Sequence, residues 1–152
     1  MSQDRLVIRG GRALSGTVVP SGNKNAALPI LAACLLTDEE VVLENVPDIL
    51  DVHVMLALLD DLGVSVRDEG PNTLALRADR IRSTHLDPDL GRRLRASLLL
   101  AGPLLPRCGE VEMPLAGGDF IGRRRVDTHL LAFRGLERTA VLALEKVRAV
   151  ER

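Results

Sequence analysis

The hydrophobic positions of the chain fall into short β-branched runs and longer apolar stretches. Residues 6–9 and 16–19 are β-branched runs separated by glycine and serine, which predicts two strands joined by a turn. A polar segment, 20–25, then precedes an apolar run over 26–36. Because this run is apolar on nearly every side, it predicts a helix that is buried in the middle of the domain.

Two features define how this first helix can begin. Ser21 or Asn23 can cap its N-terminus with a side-chain oxygen. Pro29 is compatible with the helix only if the helix begins close to it or kinks there, because an interior proline costs about 3 kcal/mol.

The next stretch alternates between helical and strand patterns. It predicts strands over 41–44, 64–67 and 73–77, a helix over 51–62 and a turn at 70–72. Val54, Leu58 and Leu62 form the apolar face of that helix. Residues 24–77 therefore follow the order α-β-α-β-β, and with the preceding strand the unit is β-α-β-α-β-β.

The second half of the chain begins with a helix start at Asp87 and Pro88, where proline takes the first helical position. We expect that helix to continue to about residue 105. Residues 110–113 predict a short strand, 128–136 a helix, and 139–152 a further helical stretch.

Composition narrows the class of protein. At 152 residues, one domain with its own core is the default. The net charge of −1 and the lack of Trp and Tyr favour neither general polyanion binding nor base stacking, so we expect no nucleic-acid partner. The polar N-terminus and the lack of a long apolar stretch predict a cytoplasmic protein without a membrane partner. Cys34 and Cys108 lie in apolar surroundings and are expected to be buried, reduced thiols.

The segment 115–129 concentrates residues that suit an anionic ligand. Gly117, Gly118 and Gly122 permit backbone conformations and close approaches that other residues resist. Asp119 stands between them, and three consecutive arginines occupy 123–125. The alternative is a surface loop with a solvated basic face.

Cations near predicted helix starts point to the same chemistry. Lys24 lies at the start of the first helix, and Arg92, Arg93 and Arg95 lie within two turns of the start of the third. The helix dipole disfavours cations there, so an anion such as phosphate or carboxylate is expected to share the site. The alternative is that these long side chains reach into water.

Several motifs, in this order and spacing, resemble the UDP-N-acetylglucosamine 1-carboxyvinyltransferase family, the enolpyruvyl transferases of peptidoglycan synthesis. They are Leu6-Val-Ile-Arg-Gly-Gly11, Ser21-Gly-Asn-Lys-Asn-Ala-Ala-Leu-Pro-Ile-Leu31, Asn45-Val-Pro-Asp48 with Asp51-Val52, Leu94-Arg-Ala-Ser97, Gly102-Pro-Leu-Leu105 and Gly117-Gly-Asp-Phe-Ile-Gly-Arg-Arg-Arg-Val-Asp-Thr-His129. The resemblance covers residues 5 to about 136.

The resemblance implies an α/β fold, the inside-out barrel of the enolpyruvyl transferases, built from β-α-β-α-β-β units and incomplete in this chain. Residues 1–20 would be strands of the second domain, 21–136 a partial first domain, and 137–152 a helical tail outside the resemblance. The implied reaction transfers the enolpyruvyl group of phosphoenolpyruvate to the 3′-hydroxyl of UDP-N-acetylglucosamine, and we expect no metal and no cofactor.

The family's functional residues match particular positions of this chain. By resemblance, Lys24 and Asn25 contact phosphoenolpyruvate and Arg95 lies at the substrate cleft. Arg124 binds both ligands. The positions that hold the uridine end of the sugar nucleotide are Arg125, Val126, Asp127 and Thr128.

This chain departs from the family pattern in three respects. Asp119 stands where most members have the reactive cysteine that protonates the methylene carbon of phosphoenolpyruvate, and Arg125 stands where the family usually has proline. A carboxylic acid can donate that proton where burial or a neighbouring anion raises its pKa. Family members are also more than twice as long, so we expect a truncated or interrupted version of the enzyme.

Two other functions stay open. The chain can be a non-catalytic fragment or paralogue that binds a sugar nucleotide, or a related shikimate-pathway transferase, although the loop at 117–122 fits the sugar-nucleotide family better. Apolar surface on half a cleft would favour self-association or completion by a second chain.

The replacement of cysteine by Asp119 predicts fosfomycin insensitivity. A carboxylate is not readily alkylated by an epoxide as a thiolate is, so a complete enzyme with this loop should keep its activity after incubation with fosfomycin. Mass spectrometry of the treated protein checks this, and irreversible inactivation with a covalent adduct on Asp119 would contradict it.

Overall fold

The computed structural model describes residues 6–114 and 127–135. In this part of the chain the helices are α1 (Lys24–Ala33), α2 (Leu50–Asp61), α3 (Pro88–Arg93), α4 (Ala101–Cys108) and α5 (Asp127–Gly135). The strands are β1 (Glu40–Leu43), β2 (Ser65–Gly70) and β3 (Thr73–Arg77). Two 3-10 helices, Cys34–Leu36 and Arg95–Leu100, follow α1 and precede α4.

The three strands form one antiparallel sheet in the order β1-β3-β2. Val42 pairs with Ala75, and Arg67 pairs with the other side of Ala75, so β3 is the central strand. Pro71 and Asn72 form the turn between β2 and β3, and Asn72 has a φ of 56°, in the left-handed region that asparagine tolerates. The predicted order α-β-α-β-β over 24–77 is confirmed.

The core lies between the sheet and the helices. Val54, Leu58 and Leu62, the predicted apolar face of α2, are all buried, and α2 packs against α1 and β2. Leu31 and Leu35 are fully buried from the α1 side. Periodic burial of one face therefore holds α2 in place, as its sequence pattern predicts.

The two strands predicted within the first 20 residues do not form. Residues 6–9 and 16–19 belong to no strand, and Leu6 and Val18 are 85% and 88% exposed. A strand needs a neighbour to accept its backbone hydrogen bonds, and the sheet of the described residues ends at β1 and β2 without pairing to this segment. A run of β-branched residues is therefore not sufficient to form a strand without a pairing partner.

The expectation that α1 is buried on all sides is also wrong for the described residues. Leu28, Leu31 and Ala32 are buried, whereas Pro29 is exposed and Ile30 is 47% exposed. The elements that contact α1, mainly α2 and the 3-10 helix at 95–100, leave its other apolar face open. The helix accommodates Pro29 as its sixth residue, beyond the first turn.

The single helix predicted over 87–105 is interrupted. Asp87 caps α3 as predicted, since its Oδ1 accepts hydrogen bonds from the Asp89 and Leu90 amides at 2.9 and 2.8 Å. Leu94 then adopts an extended conformation and is 3% exposed, so the helix ends there to bury this side chain. The predicted strand over 110–113 is reduced to one isolated bridge, between His85 and Glu112.

The helix predicted over 128–136 corresponds to α5. Phe133 of α5 is half-buried and packs against the core. The tail predicted over 137–152 lies outside the described residues. Among the helices of the described ranges, none is both long and apolar enough to cross a membrane.

The two cysteines differ in environment. Cys34 is buried, as predicted, and its Sγ donates a hydrogen bond to the Ile30 carbonyl at 3.4 Å. Burial raises the pKa of the Cys34 thiol above its ordinary value, and the backbone hydrogen bond opposes this only in part. Cys108 is only half-buried, which corrects the expectation that both thiols lie inside the core.

This difference predicts selective alkylation. Iodoacetamide should modify Cys108 of the native chain and spare Cys34, since the thiolate is the nucleophile and burial disfavours it. The pKa of Cys34 is therefore higher in the folded state than in the unfolded state. Because of this difference, the contribution of Cys34 to the free energy of unfolding is fully present below the ordinary thiol pKa of about 8.5 and is lost as the pH rises above that value.

Mass spectrometry of peptides after timed labelling between neutral and mildly alkaline pH checks this prediction. Labelling in urea is the control and should reach both thiols. Equal labelling of Cys34 and Cys108 in the native chain would contradict it.

Candidate functional site

Lys24 is the first residue of α1, as the sequence predicted. Asn23 caps this helix: its Oδ1 accepts hydrogen bonds from the backbone amides of Asn25 and Ala26 at 2.8 and 3.2 Å. No acidic residue lies in the first turn. The N-terminus of α1 therefore combines the positive end of the helix dipole with a lysine, an arrangement that favours an anion.

The segment before α1 packs tightly on the segment before α2. A Cβ atom on Gly22 would overlap the Asn45 carbonyl oxygen and would lie 2.9 Å from Cδ of Pro47. Asn45 has a φ of 56°, and the next residue, Val46, donates its amide hydrogen to the Asn72 carbonyl at 2.8 Å. These contacts bring the N-termini of the two longest described helices together.

Asp51 of α2 supplies the anion that the pattern of Lys24 implied. Its Oδ2 lies 2.7 Å from Nζ of Lys24, and the side chains are 35% and 51% exposed. Asp51 lies in the first turn of α2, where a carboxylate also stabilises the positive end of its own helix. Sequence reasoning missed this pairing, and the only signal for it was an acidic residue near a predicted helix start.

Arg95 lies on an adjoining element. It is half-buried and begins the 3-10 helix at 95–100, which packs against both α1 and α2. Its position at a substrate cleft stays a prediction.

For Arg92 and Arg93, the alternative that these long side chains reach into water is confirmed, since both residues are exposed. Both lie in the last turn of α3, because the helix ends at residue 93, and cations there are favourable to the dipole. Arg92 also lies 3.8 Å from Asp89. Neither residue needs an anionic ligand to explain it.

The remaining predicted site residues belong to the segment around 115–128. Asp119, Arg124, Arg125 and Val126 lie outside the described residues. Asp127 begins α5, and Thr128 is exposed on it. Their roles stay predictions.

Two grooves flank these elements. The smaller, about 230 Å³, runs along α1 and is lined in part by Gly22, Asn23 and Ile30. The larger, about 630 Å³, lies between the start of α2 and the β2–β3 turn. Among the described residues, neither groove is lined by a predicted site residue. At the edge of the larger groove, Nε2 of His53 lies 2.7 Å from Oδ1 of Asp48. His53 is exposed on α2.

Comparison with known proteins identifies the family. The sequence model of EPSP synthase (3-phosphoshikimate 1-carboxyvinyltransferase) matches residues 8–149. The chain belongs to this family of enolpyruvyl transferases.

Two curated relatives share one name. A UDP-N-acetylglucosamine 1-carboxyvinyltransferase of Bradyrhizobium diazoefficiens is 53% identical over 136 residues, which cover 90% of this chain and 32% of the relative. One from Borreliella burgdorferi is 50% identical over 123 residues, covering 81% of this chain and 29% of the relative. The chain thus spans about a third of the length of these relatives.

A solved structure agrees with the fold assignment. The enolpyruvyl transferase NikO from Streptomyces tendae superposes with a TM-score of 0.58 and 32% identity, over 66% of this chain and 23% of NikO. The described part of this family member thus shares the enolpyruvyl transferase fold, with a small open sheet and helices packed on it.

The close approach of Gly22 to Asn45 yields a stability prediction. Gly22→Ala should lower the free energy of unfolding by about 2 kcal/mol, because the new methyl group meets a backbone carbonyl that cannot move aside cheaply. Gly102→Ala is the control: it lies in α4 with nothing within 4 Å of the added Cβ. There alanine should be neutral or slightly stabilising. Urea unfolding measures both, and equal midpoints for the two variants would contradict the predicted contact.

Proposed function

We propose that this chain forms one side of the substrate cleft of a UDP-N-acetylglucosamine 1-carboxyvinyltransferase. That enzyme transfers the enolpyruvyl group of phosphoenolpyruvate to the 3′-hydroxyl of UDP-N-acetylglucosamine, the first committed step of peptidoglycan synthesis. The observation that carries the proposal is the position of Lys24, at the N-terminus of α1 and next to that of α2, in a chain 53% identical to a relative of that name.

The proposed phosphoenolpyruvate site consists of Lys24 and Asn25, with Arg95 on the adjoining 3-10 helix. Phosphoenolpyruvate carries a phosphate and a carboxylate, and both match the positive ends of two helices and a lysine ammonium group. The ammonium group has three donors, so Lys24 can hold Asp51 and a substrate oxygen together.

In the proposed mechanism, Asp119 donates a proton to the methylene carbon of phosphoenolpyruvate. The 3′-hydroxyl of the sugar loses its proton to a base and its oxygen attacks the adjacent carbon, which gives a tetrahedral adduct. This adduct then loses phosphate from that carbon and a proton from the new methyl group to a base, so that the double bond forms again. Arg124 contacts both ligands, and Arg125, Val126, Asp127 and Thr128 hold the uridine end. Support for these roles comes from the match between 117–129 and the family's loop.

The acceptor and the complete fold are also part of the proposal. The name shared by the curated relatives favours UDP-N-acetylglucosamine over 3-phosphoshikimate. The α-β-α-β-β order over 24–77 corresponds to most of one repeating unit of an inside-out barrel. The exposed apolar side chains of Ile30 in α1 and of Leu36 in the following 3-10 helix, 47% and 62% exposed, support self-association or completion by a second chain.

A second candidate function is binding without catalysis. The chain spans about a third of its relatives, and a cleft with one side neither excludes water nor supplies groups from the other side. Under this alternative the chain binds the sugar nucleotide and turns nothing over.

Phosphate release from phosphoenolpyruvate and UDP-N-acetylglucosamine by the purified chain tests the proposal. Lys24→Ala should lower the rate about 100-fold or more, since it removes the charge that faces the departing phosphate. Arg92→Ala is the control, because Arg92 is an exposed cation at the C-terminal end of α3 and should leave the rate unchanged.

A rate that is equal in the unsubstituted chain and Lys24→Ala would contradict the assigned role. If the unsubstituted chain releases no phosphate above background, catalysis by this chain is contradicted. Titration with UDP-N-acetylglucosamine then decides whether the binding function remains.

A further inference from the structure

The ion pair between Lys24 and Asp51 joins two helix N-termini that are separated in sequence. We propose that Asp51 is a positioning residue for Lys24: it fixes the ammonium group at the junction of α1 and α2, where the anionic substrate binds. The inference rests on the proposed function, because the substrate is the phosphoenolpyruvate assigned to that junction.

Asp51 is the better anchored partner of the pair. Its carboxylate is one methylene group from a backbone that the buried neighbours Val52 and Met55, 2% and 0% exposed, hold against the core. Lys24 carries its charge on a flexible four-carbon stem and is the more exposed of the two, at 51% against 35%. The carboxylate therefore restricts the lysine, rather than the reverse.

The position of the pair also explains why the site needs a restraint. Lys24 begins a helix without an acidic residue in its first turn, so the dipole of α1 pushes the ammonium group towards solvent. Asp51 opposes this push from the facing helix. Because the ion pair already restricts the Lys24 side chain, binding of an anion costs less conformational entropy.

The carboxylate has an opposite effect as well, because it repels the same anion. The two effects differ in sign when Asp51→Asn removes the charge: loss of positioning weakens binding of the anion, and loss of repulsion strengthens it. Positioning of Lys24 is the larger of the two effects.

The experiment measures the chemical modification of Lys24 by trinitrobenzenesulfonate in the full chain, with mass spectrometry of the peptide. This reagent attacks the side-chain amine, and the contact with Asp51 at 2.7 Å competes with that attack. Asp51→Asn should raise the rate about three- to fivefold, the size expected of a half-exposed ion pair. Asp51→Glu, which restores the carboxylate, should return the rate close to that of the unsubstituted chain.

Protection by phosphoenolpyruvate provides the second measurement. It should slow the modification of Lys24, and the midpoint concentration should rise about three- to fivefold in Asp51→Asn and recover in Asp51→Glu. Asp61→Asn is the matched control, because it removes an exposed carboxylate at the other end of α2. Urea unfolding of each variant measures its stability. A change in the modification of Lys24 without a change in stability then reports a loss of positioning.

The outcomes separate the two proposals. Equal modification rates in the unsubstituted chain, Asp51→Asn and Asp51→Glu overturn the positioning role, as does tighter protection in Asp51→Asn. A rate that rises in Asp51→Asn and recovers in Asp51→Glu, without protection by millimolar phosphoenolpyruvate, supports the restraint on Lys24 and overturns the proposed substrate site.

Discussion

The backbone of Gly22 lies so close to the Asn45 carbonyl that no side chain fits between them, and the rest of the candidate site depends on this contact. It places the start of α1 against the loop that leads into α2. The same loop is tied to the β2–β3 turn through the hydrogen bond from Val46 to Asn72. Sheet, loop and both helix starts are therefore fixed relative to one another, and Lys24 and Asp51 meet because of it.

The packing of the described residues is one-sided. The core side of α2 is filled, and Arg107 of α4 donates a hydrogen bond at 2.8 Å to the Leu35 carbonyl, where the 3-10 turn after α1 ends. The opposite face of α1 keeps apolar side chains in solvent, as does the segment at 6–20. The relatives that share the matched region are about three times as long as this chain, so they contain further residues that could cover such an apolar face.

The candidate site was predictable to the extent that it depends on local chemistry. A lysine at a helix start conflicts with the dipole, and this conflict made Lys24 a candidate. For Arg92 and Arg93 the same reasoning left a solvated alternative open, and the structure favours that alternative, because α3 ends before the buried Leu94 and both arginines lie in its last turn. Asp51 was missed as a partner because its role depends on a contact between two helices, and no spacing in the sequence encodes that contact.

The sequence by itself determined the features that act within a few residues: the caps at Asn23 and Asp87, the apolar face of α2, the hairpin turn and the order α-β-α-β-β. Tertiary structure alone decided which strands pair, which face of α1 is covered and which carboxylate faces Lys24. The physical reason is the distance along the sequence between the residues that interact. Capping and periodic burial depend on neighbours along the chain, whereas strand formation and ion pairing depend on partners that only folding brings within reach.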